Sequence, residues 1–396
     1  MRPKLVPAVA GLAIVAGTVC LNLFGPIFRP VQAGVDETKQ QPSASGYKVL
    51  EPIRHGSLTV FPVGAAKTYA TSEFMTLDEG LRSGEVVVTE YGNVRGLIRR
   101  REAPAVLRES AEVNRLVLIN NSKRPLLLLA GEIVTGGKQD RVIGKDRIVP
   151  AESDPVDLSV FCVEPGRWVA TSDHFGASGA TYGIGAGSGG GMQASAGTMM
   201  AQPSVRARAM ADKDQSQVWA EVRKQQASIA TNLEVTGAAP PASTEEVRST
   251  TSYARVMENK DVKAQVDEVA RPIQQNYESL IKQLRERKAV GVVVAVSGHI
   301  IWADVFASTD LLEKYWPKLV RSYASEAVVT RAKGAEVSWE RAEAFLADME
   351  GRRETIESEP GVYRHTEVNG DGFKAFALTS LLPKTGFDVH VAKMAE

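Results

Sequence analysis

The chain has 396 residues, with 47 basic and 47 acidic side chains and a formal net charge of zero. That length allows two or three domains, and an apolar content of 43% is enough to bury real cores. With no basic excess and no run of like charge there is nothing to attract a phosphate backbone, so nucleic acid is not an expected partner.

The chain opens on an export segment. Arg2 and Lys4 precede the apolar stretch Leu5 to Phe24, and Val31-Gln32-Ala33 offers a small-residue cleavage site before Gly34. Residues 1–33 therefore read as a signal peptide, or as a membrane anchor if residues 5–24 stay uncut, since about 20 apolar residues just span a bilayer. Both readings place the body outside the cytoplasm, periplasmic or extracellular, with no other route to a membrane. Cys20 lies in this segment, which leaves Cys162 as the body's single cysteine. An internal disulfide is then impossible. In the apolar run Leu158 to Val163 a thiol packs as a small hydrophobe.

Residues 34–46 are polar and read as a linker. Residues 47–171 read as a β-rich domain. Strands are expected at Leu58–Pro62, Glu85–Glu90, Leu116–Ile119, Leu126–Val134, Gln139–Val149 and Val156–Val163, with turn residues between them. Thr76 to Gly80 fits a short capped helix. Such a series of strands points to an antiparallel β-sandwich or barrel. Residues 172–210 are rich in Gly, Ala, Ser and Met and read as a loop.

Residues 211–396 mix helix and strand. Gln215 to Ala230 looks helical, and Ser243 to Glu246 fits a capping box. Val262, Val266, Val269, Ile273, Tyr277, Leu280 and Leu284 form one stripe of a long amphipathic helix interrupted at Pro272. A hairpin follows, its strands Gly291–Val296 and His299–Val305 joined at Ser297-Gly298. Ser308 caps a helix with Leu312, Trp316, Leu319 and Tyr323 on its apolar face, and another helix runs from Ser338 to Glu350. Strands near 361–368, 372–379 and 387–391 close the chain. The fold class is α+β: an N-terminal sandwich or barrel followed by a mixed half.

Cofactor and metal motifs do not hold. Gly185-Ala186-Gly187-Ser188-Gly189-Gly190 spells a dinucleotide fingerprint, but it lacks the preceding strand and following helix that aim amides at a pyrophosphate. His55, His174, His299, His365 and His390 show no metal-ligand spacing. Neither a cofactor nor a metal is expected.

One stretch carries polar groups inside strands, Leu126 to Ile143. A two-residue turn at Gly136-Gly137 would set Glu132 opposite Arg141 and put Glu132, Gln139 and Arg141 on one face. Glu164-Pro165-Gly166-Arg167-Trp168 closes the last strand of the unit and adds a second acid, a second guanidinium and an aromatic plate. Lys138, Gln139, Arg141 and Arg167 would grip an anion, with Trp168 stacking on a base or sugar. Glu132 or Glu164 is the candidate acid/base. The plainer reading is a cross-strand salt bridge at the sheet rim, worth roughly 0.2–1 kcal/mol.

The motifs Gly131-Glu132, Lys138-Gln139-x-Arg141, Val149-Pro150 and Cys162-Val163-Glu164-x-Gly166-Arg167-Trp168, taken in order, are family-like. With Gln217-Val218-Trp219-x-Glu221, Gly291-Val292-Val293, Asp304-x-Phe306 and Trp316-x-x-Leu319, they resemble the domain named for its association with ADP-ribosylglycohydrolases and rhodanese-phosphatase superfamily proteins. The resemblance runs from about residue 50 over most of the chain. It implies a link to NAD or ADP-ribose chemistry, with Glu132, Lys138, Gln139, Arg141, Glu164, Arg167 and Trp168 as recurring polar residues. Asp140 stands where the pattern leads us to expect Asn. Three functions follow as expectations: an extracytoplasmic binding module for an anionic, nucleotide-like ligand; a hydrolase of ADP-ribose-like substrates; or a structural envelope protein.

Overall fold

The computed structural model describes residues 46–90, 114–166, 174–176, 198–283, 288–330 and 334–396. The export segment, all but the last residue of the linker, and most of the Gly-rich stretch lie outside the described residues. Among the described residues the first strands are β1 (Tyr47–Val49), β2 (Ile53–His55), β3 (Leu58–Ala65) and β4 (Met75–Thr76), followed by α1 (Leu77–Ser83) and β5 (Val86–Glu90). Next come β6 (Arg115–Asn120), β7 (Leu126–Leu128), β8 (Glu132–Gly136), β9 (Arg141–Ile143), β10 (Arg147–Val149), β11 (Val156–Cys162), β12 (His174–Gly176) and β13 (Met199–Met200).

The helices α2 (Pro203–Ala207), α3 (Gln215–Thr236), α4 (Pro241–Ser249), α5 (Tyr253–Glu258) and α6 (Lys260–Gln283) lead to the hairpin β14 (Lys288–Val296) and β15 (His299–Phe306). The chain finishes with α7 (Thr309–Val329), α8 (Trp339–Ala347), β16 (Arg352–Glu359), β17 (Tyr363–Gly370), β18 (Phe373–Ser380) and β19 (Asp388–Ala395).

The class is α+β, and the N-terminal sheet closes into a barrel. Its strand order is β12-β5-β6-β11-β9-β8, and β8 pairs back onto β12, so six strands complete the ring. Closure removes the sheet edges. Alternate residues point inward: Val86 and Val88, Leu116 and Leu118, Val134, Ile143, Leu158 and Val160 all join one buried cluster. α1 leads into β5 at the end where β8 begins. Thr76 starts α1 with a full capping box, its hydroxyl accepting from Glu79 N while the Glu79 carboxylate accepts from Thr76 N.

A nine-stranded sheet makes the other layer, ordered β1-β3-β14-β15-β19-β18-β17-β16, with β2 also on β3. Strand β3 pairs with β14 along its whole length. Seven of the eight residues of β3 are buried, which suits a central strand covered on both faces rather than a half-exposed barrel stave. Leu58, Val60, Val292, Val294, Trp302 and Phe306 face the main core, which also holds the stripe of α6 and the apolar face of α7. Phe61, Val63, Val293, Ala303 and Val305 face the opposite side, toward Phe345 and Leu346 of α8.

Ser308 caps its helix as expected, through Leu311 N, and Ser338 proves to cap α8 through Arg341 N, with the helix ending at Ala347 rather than Glu350. The Ser297-Gly298 turn has positive φ at both residues, the geometry a two-residue hairpin requires. The capping box at Ser243 does not form. Helix α4 starts at Pro241 without a side-chain cap; the Ser243 hydroxyl bonds Asn259 Oδ1 and the Glu246 carboxylate accepts from Asn259 Nδ2. Strand β16 has no counterpart in the sequence reading. Of the α6 stripe, the Leu280 side chain and Leu284 lie outside the described residues.

Candidate functional site

The β8–β9 connection decides which polar groups meet. Ile133 opposes Val142 and Val134 opposes Arg141, so Glu132 does not face Arg141. The turn is longer than two residues because Asp140 Oδ1 accepts from Gly136 N at 3.1 Å, while Lys138 N donates to Glu90 Oε1 at 2.7 Å. Gly136 and Gly137 both have positive φ, and a Cβ on Gly137 would strike the Phe175 ring.

At the end of the barrel where β8 stops, Arg141 and Cys162 are direct cross-strand partners. Glu90 occupies the same inward row, two places beyond Val88 and opposite Leu116. Gln139 Nε2 donates to the Glu164 carbonyl and Asp140 N to Glu164 Oε2, each at 3.1 Å. Asp140 Oδ2 accepts from the Ser252 hydroxyl at 2.8 Å, so both its oxygens take donors. The structure thus gathers Lys138, Gln139, Arg141 and Glu164 at one mouth and adds Glu90. Glu90, Gln139, Arg141 and Glu164 are buried, and Lys138 is half-buried. Among the described residues two buried acceptors there have no partner, Glu90 Oε2 and Gln139 Oε1. Arg167 and Trp168 lie outside the described residues. Cys162 is buried, and burial pushes its thiol up, so it packs as a small hydrophobe.

Glu132 stands at the opposite end. Its Oε1 accepts from Lys318 Nζ and from Thr198 Oγ1 at 3.1 Å, and its Oε2 accepts from Leu129 N at 2.7 Å. Lys318 also reaches Asp78 Oδ2 at 2.8 Å, and Asp78 Oδ1 accepts from Thr198 N. Burial alone would drive the Lys318 ammonium down, but the Glu132 and Asp78 carboxylates outweigh it and keep the group charged.

A third polar group joins the barrel to the large sheet. Arg206 grips Asp304 with two parallel bonds of 2.9 and 3.0 Å, lies over the Trp302 ring at 4.4 Å, and shares Asp304 with the Tyr323 hydroxyl. Room for the Arg206 stem comes from Gly131, where a Cβ would come within 2.5 Å of it and φ is +96°. His390 bridges Asp304 and Asp146. The sequence reading passed over Lys318, Arg206 and Asp146. The one available signal was Asp304, a carboxylate between Trp302 and Phe306 on the inward face of an apolar strand.

Among the described residues no three His, Cys, Asp or Glu side chains are placed to hold a metal ion, and no helix is long and apolar enough to cross a membrane. No curated protein and no solved structure matches the chain. Its relationship is carried by a family model that matches residues 46–393, from β1 into the last strand: the chain belongs to the family of the ARG and Rhodanese-Phosphatase-superfamily-associated Protein domain.

Proposed function

We infer that the chain is an extracytoplasmic binding module, carried out of the cytoplasm by residues 1–33, whose ligand seats at the polar mouth of the barrel. The ligand is an anionic, nucleotide-like molecule. The observation that supports this reading is the pair of buried acceptors without donors, Glu90 Oε2 and Gln139 Oε1, at the end of an otherwise aliphatic barrel. Each such group costs about 1–3 kcal/mol unless something supplies a donor. Ribose hydroxyls and base amino groups are donors. The phosphates of the same molecule would meet the positive charge of Lys138 and Arg141.

Thermal unfolding against ADP-ribose, NAD, mononucleotides, sugar phosphates and simple anions tests this. A ligand at 100 times its Kd stabilises the protein by about 2.7 kcal/mol, and the shift should vanish in Arg141→Ala. A flat panel would overturn the reading and leave the structural one. Turnover of ADP-ribose that is lost in Glu164→Gln would turn the module into a hydrolase, with Glu164 as its acid/base.

A further inference from the structure

His390 lies in a row that crosses the large sheet, with Phe306 on one side and Leu378 on the other. Both of its ring nitrogens meet carboxylates. Nδ1 is 2.6 Å from Asp146 Oδ2, and Nε2 is 3.1 Å from Asp304 Oδ1. An ionised carboxylate only accepts, so an imidazole held between two of them carries both protons. Asp304 is kept ionised by Arg206 and Tyr323 as well; Asp146, against the pull of burial, is kept ionised chiefly by His390 itself, with Ala130 N donating at 2.7 Å. Two carboxylates are then matched by two cations, Arg206 and His390, in a region with almost no accessible surface.

These groups come from different parts of the fold. Asp146 belongs to the barrel connection between β9 and β10, Asp304 to β15, His390 to β19, Arg206 to α2 and Tyr323 to α7. We propose that the doubly protonated His390 is a latch fastening the end of the barrel to the nine-stranded sheet, and that alkaline solution releases it.

Phe306 packs against the imidazole at 4.5 Å, with Tyr315 of α7 stacked behind it and its hydroxyl donating to Leu127 O. From the neighbouring strands, β18 offers Leu378, and His365 of β17 stands one strand further. Burial alone would push His390 down; Asp146 and Asp304 outweigh it and hold the ring up to about 9, from an ordinary 6.5. A folded value above the unfolded one means the latch contributes fully below about 6.5 and is lost as pH rises through about 9.

The test is ring-labelled histidine NMR on the full chain, with His390 assigned by its absence in His390→Gln, alongside urea unfolding from neutral to alkaline pH. His390 should be doubly protonated in neutral solution and titrate near 9. The folding constant should fall on the order of 100-fold over the same interval, and His390→Gln should flatten that fall. If that variant does not fold, Asp146→Asn serves instead, and its His390 must titrate at lower pH. Hydrogen exchange tells a latch from general unfolding: protection at Ala130 N–H must drop before that of Val293 in the sheet centre. A neutral His390 at neutral pH, an equal alkaline fall in His390→Gln, or simultaneous loss of protection at both amides overturns the proposal.

Discussion

At the end of the barrel where β8 begins, Lys318, Thr198 and Leu129 N supply every oxygen of Glu132 and Asp78 with a donor. At the end where β8 stops, Glu90 and Gln139 each keep a buried oxygen without one among the described residues. Both ends are polar, and the sequence reading puts Glu132 and Glu164 in one cluster that the structure parts. Oxygens that are all supplied with donors inside the protein hold elements together; a buried acceptor left unmatched is a cost that a ligand can relieve. Burial raises the Glu132 carboxyl above its ordinary value in spite of Lys318, so Glu132 stays a candidate acid while it braces its own end, and the other mouth is the place to look for binding.

The sharpest way to break the comparison is Lys318→Met. It leaves the buried Glu132 and the half-buried Asp78 without their cation and should cost about 3–5 kcal/mol in urea unfolding, with part regained by adding Glu132→Gln. A cost under about 1 kcal/mol would mean the matched end is not structural. Gly131→Ala comes next. It forces a side chain into positive φ and onto the Arg206 stem, for about 1–3 kcal/mol by the same assay.

The acid limb is a smaller effect. Burial raises the Asp78 carboxyl, but Lys318 and Thr198 together bring it below its ordinary value. Its contribution is therefore present above that ordinary value and is lost as pH falls through the folded one. Asp78→Asn should flatten the acid limb of stability by about 1 kcal/mol. Smallest of all is Glu90→Gln, expected to change stability by no more than about 1 kcal/mol while removing any ligand-induced shift in thermal unfolding. A large destabilisation there would show Glu90 to be matched after all.

Local features were legible in the sequence because they are decided locally. Thr76 and Ser308 cap their helices through neighbours three residues on, and β5, β6 and β11 show as short apolar runs between turn residues. The partners of those faces were not legible. Strand β3 joins β14 from the other half of the chain, a pairing that only shape and burial select. The register at Gly136-Gly137 was misread because the bond from Gly136 N to Asp140 lengthens the turn. Of the site, Lys138, Gln139, Arg141 and Glu164 do gather. Glu90 was hidden as the last residue of an apolar strand. Lys318 was hidden in a helix read by its apolar stripe, and Arg206 in a stretch read as loop.

The pairing of β3 with β14 also bears on how the chain can be divided. A fragment beginning after the Gly-rich stretch would lose β1 to β3 and carry β14 as a bare edge. That edge reads Gly291-Val292-Val293-Val294-Ala295-Val296, six uncharged residues with strong strand preference and no proline. Such a segment is a template for pairing between copies. Severed from its N-terminal strands, the second half would be driven toward self-association rather than toward an independent domain.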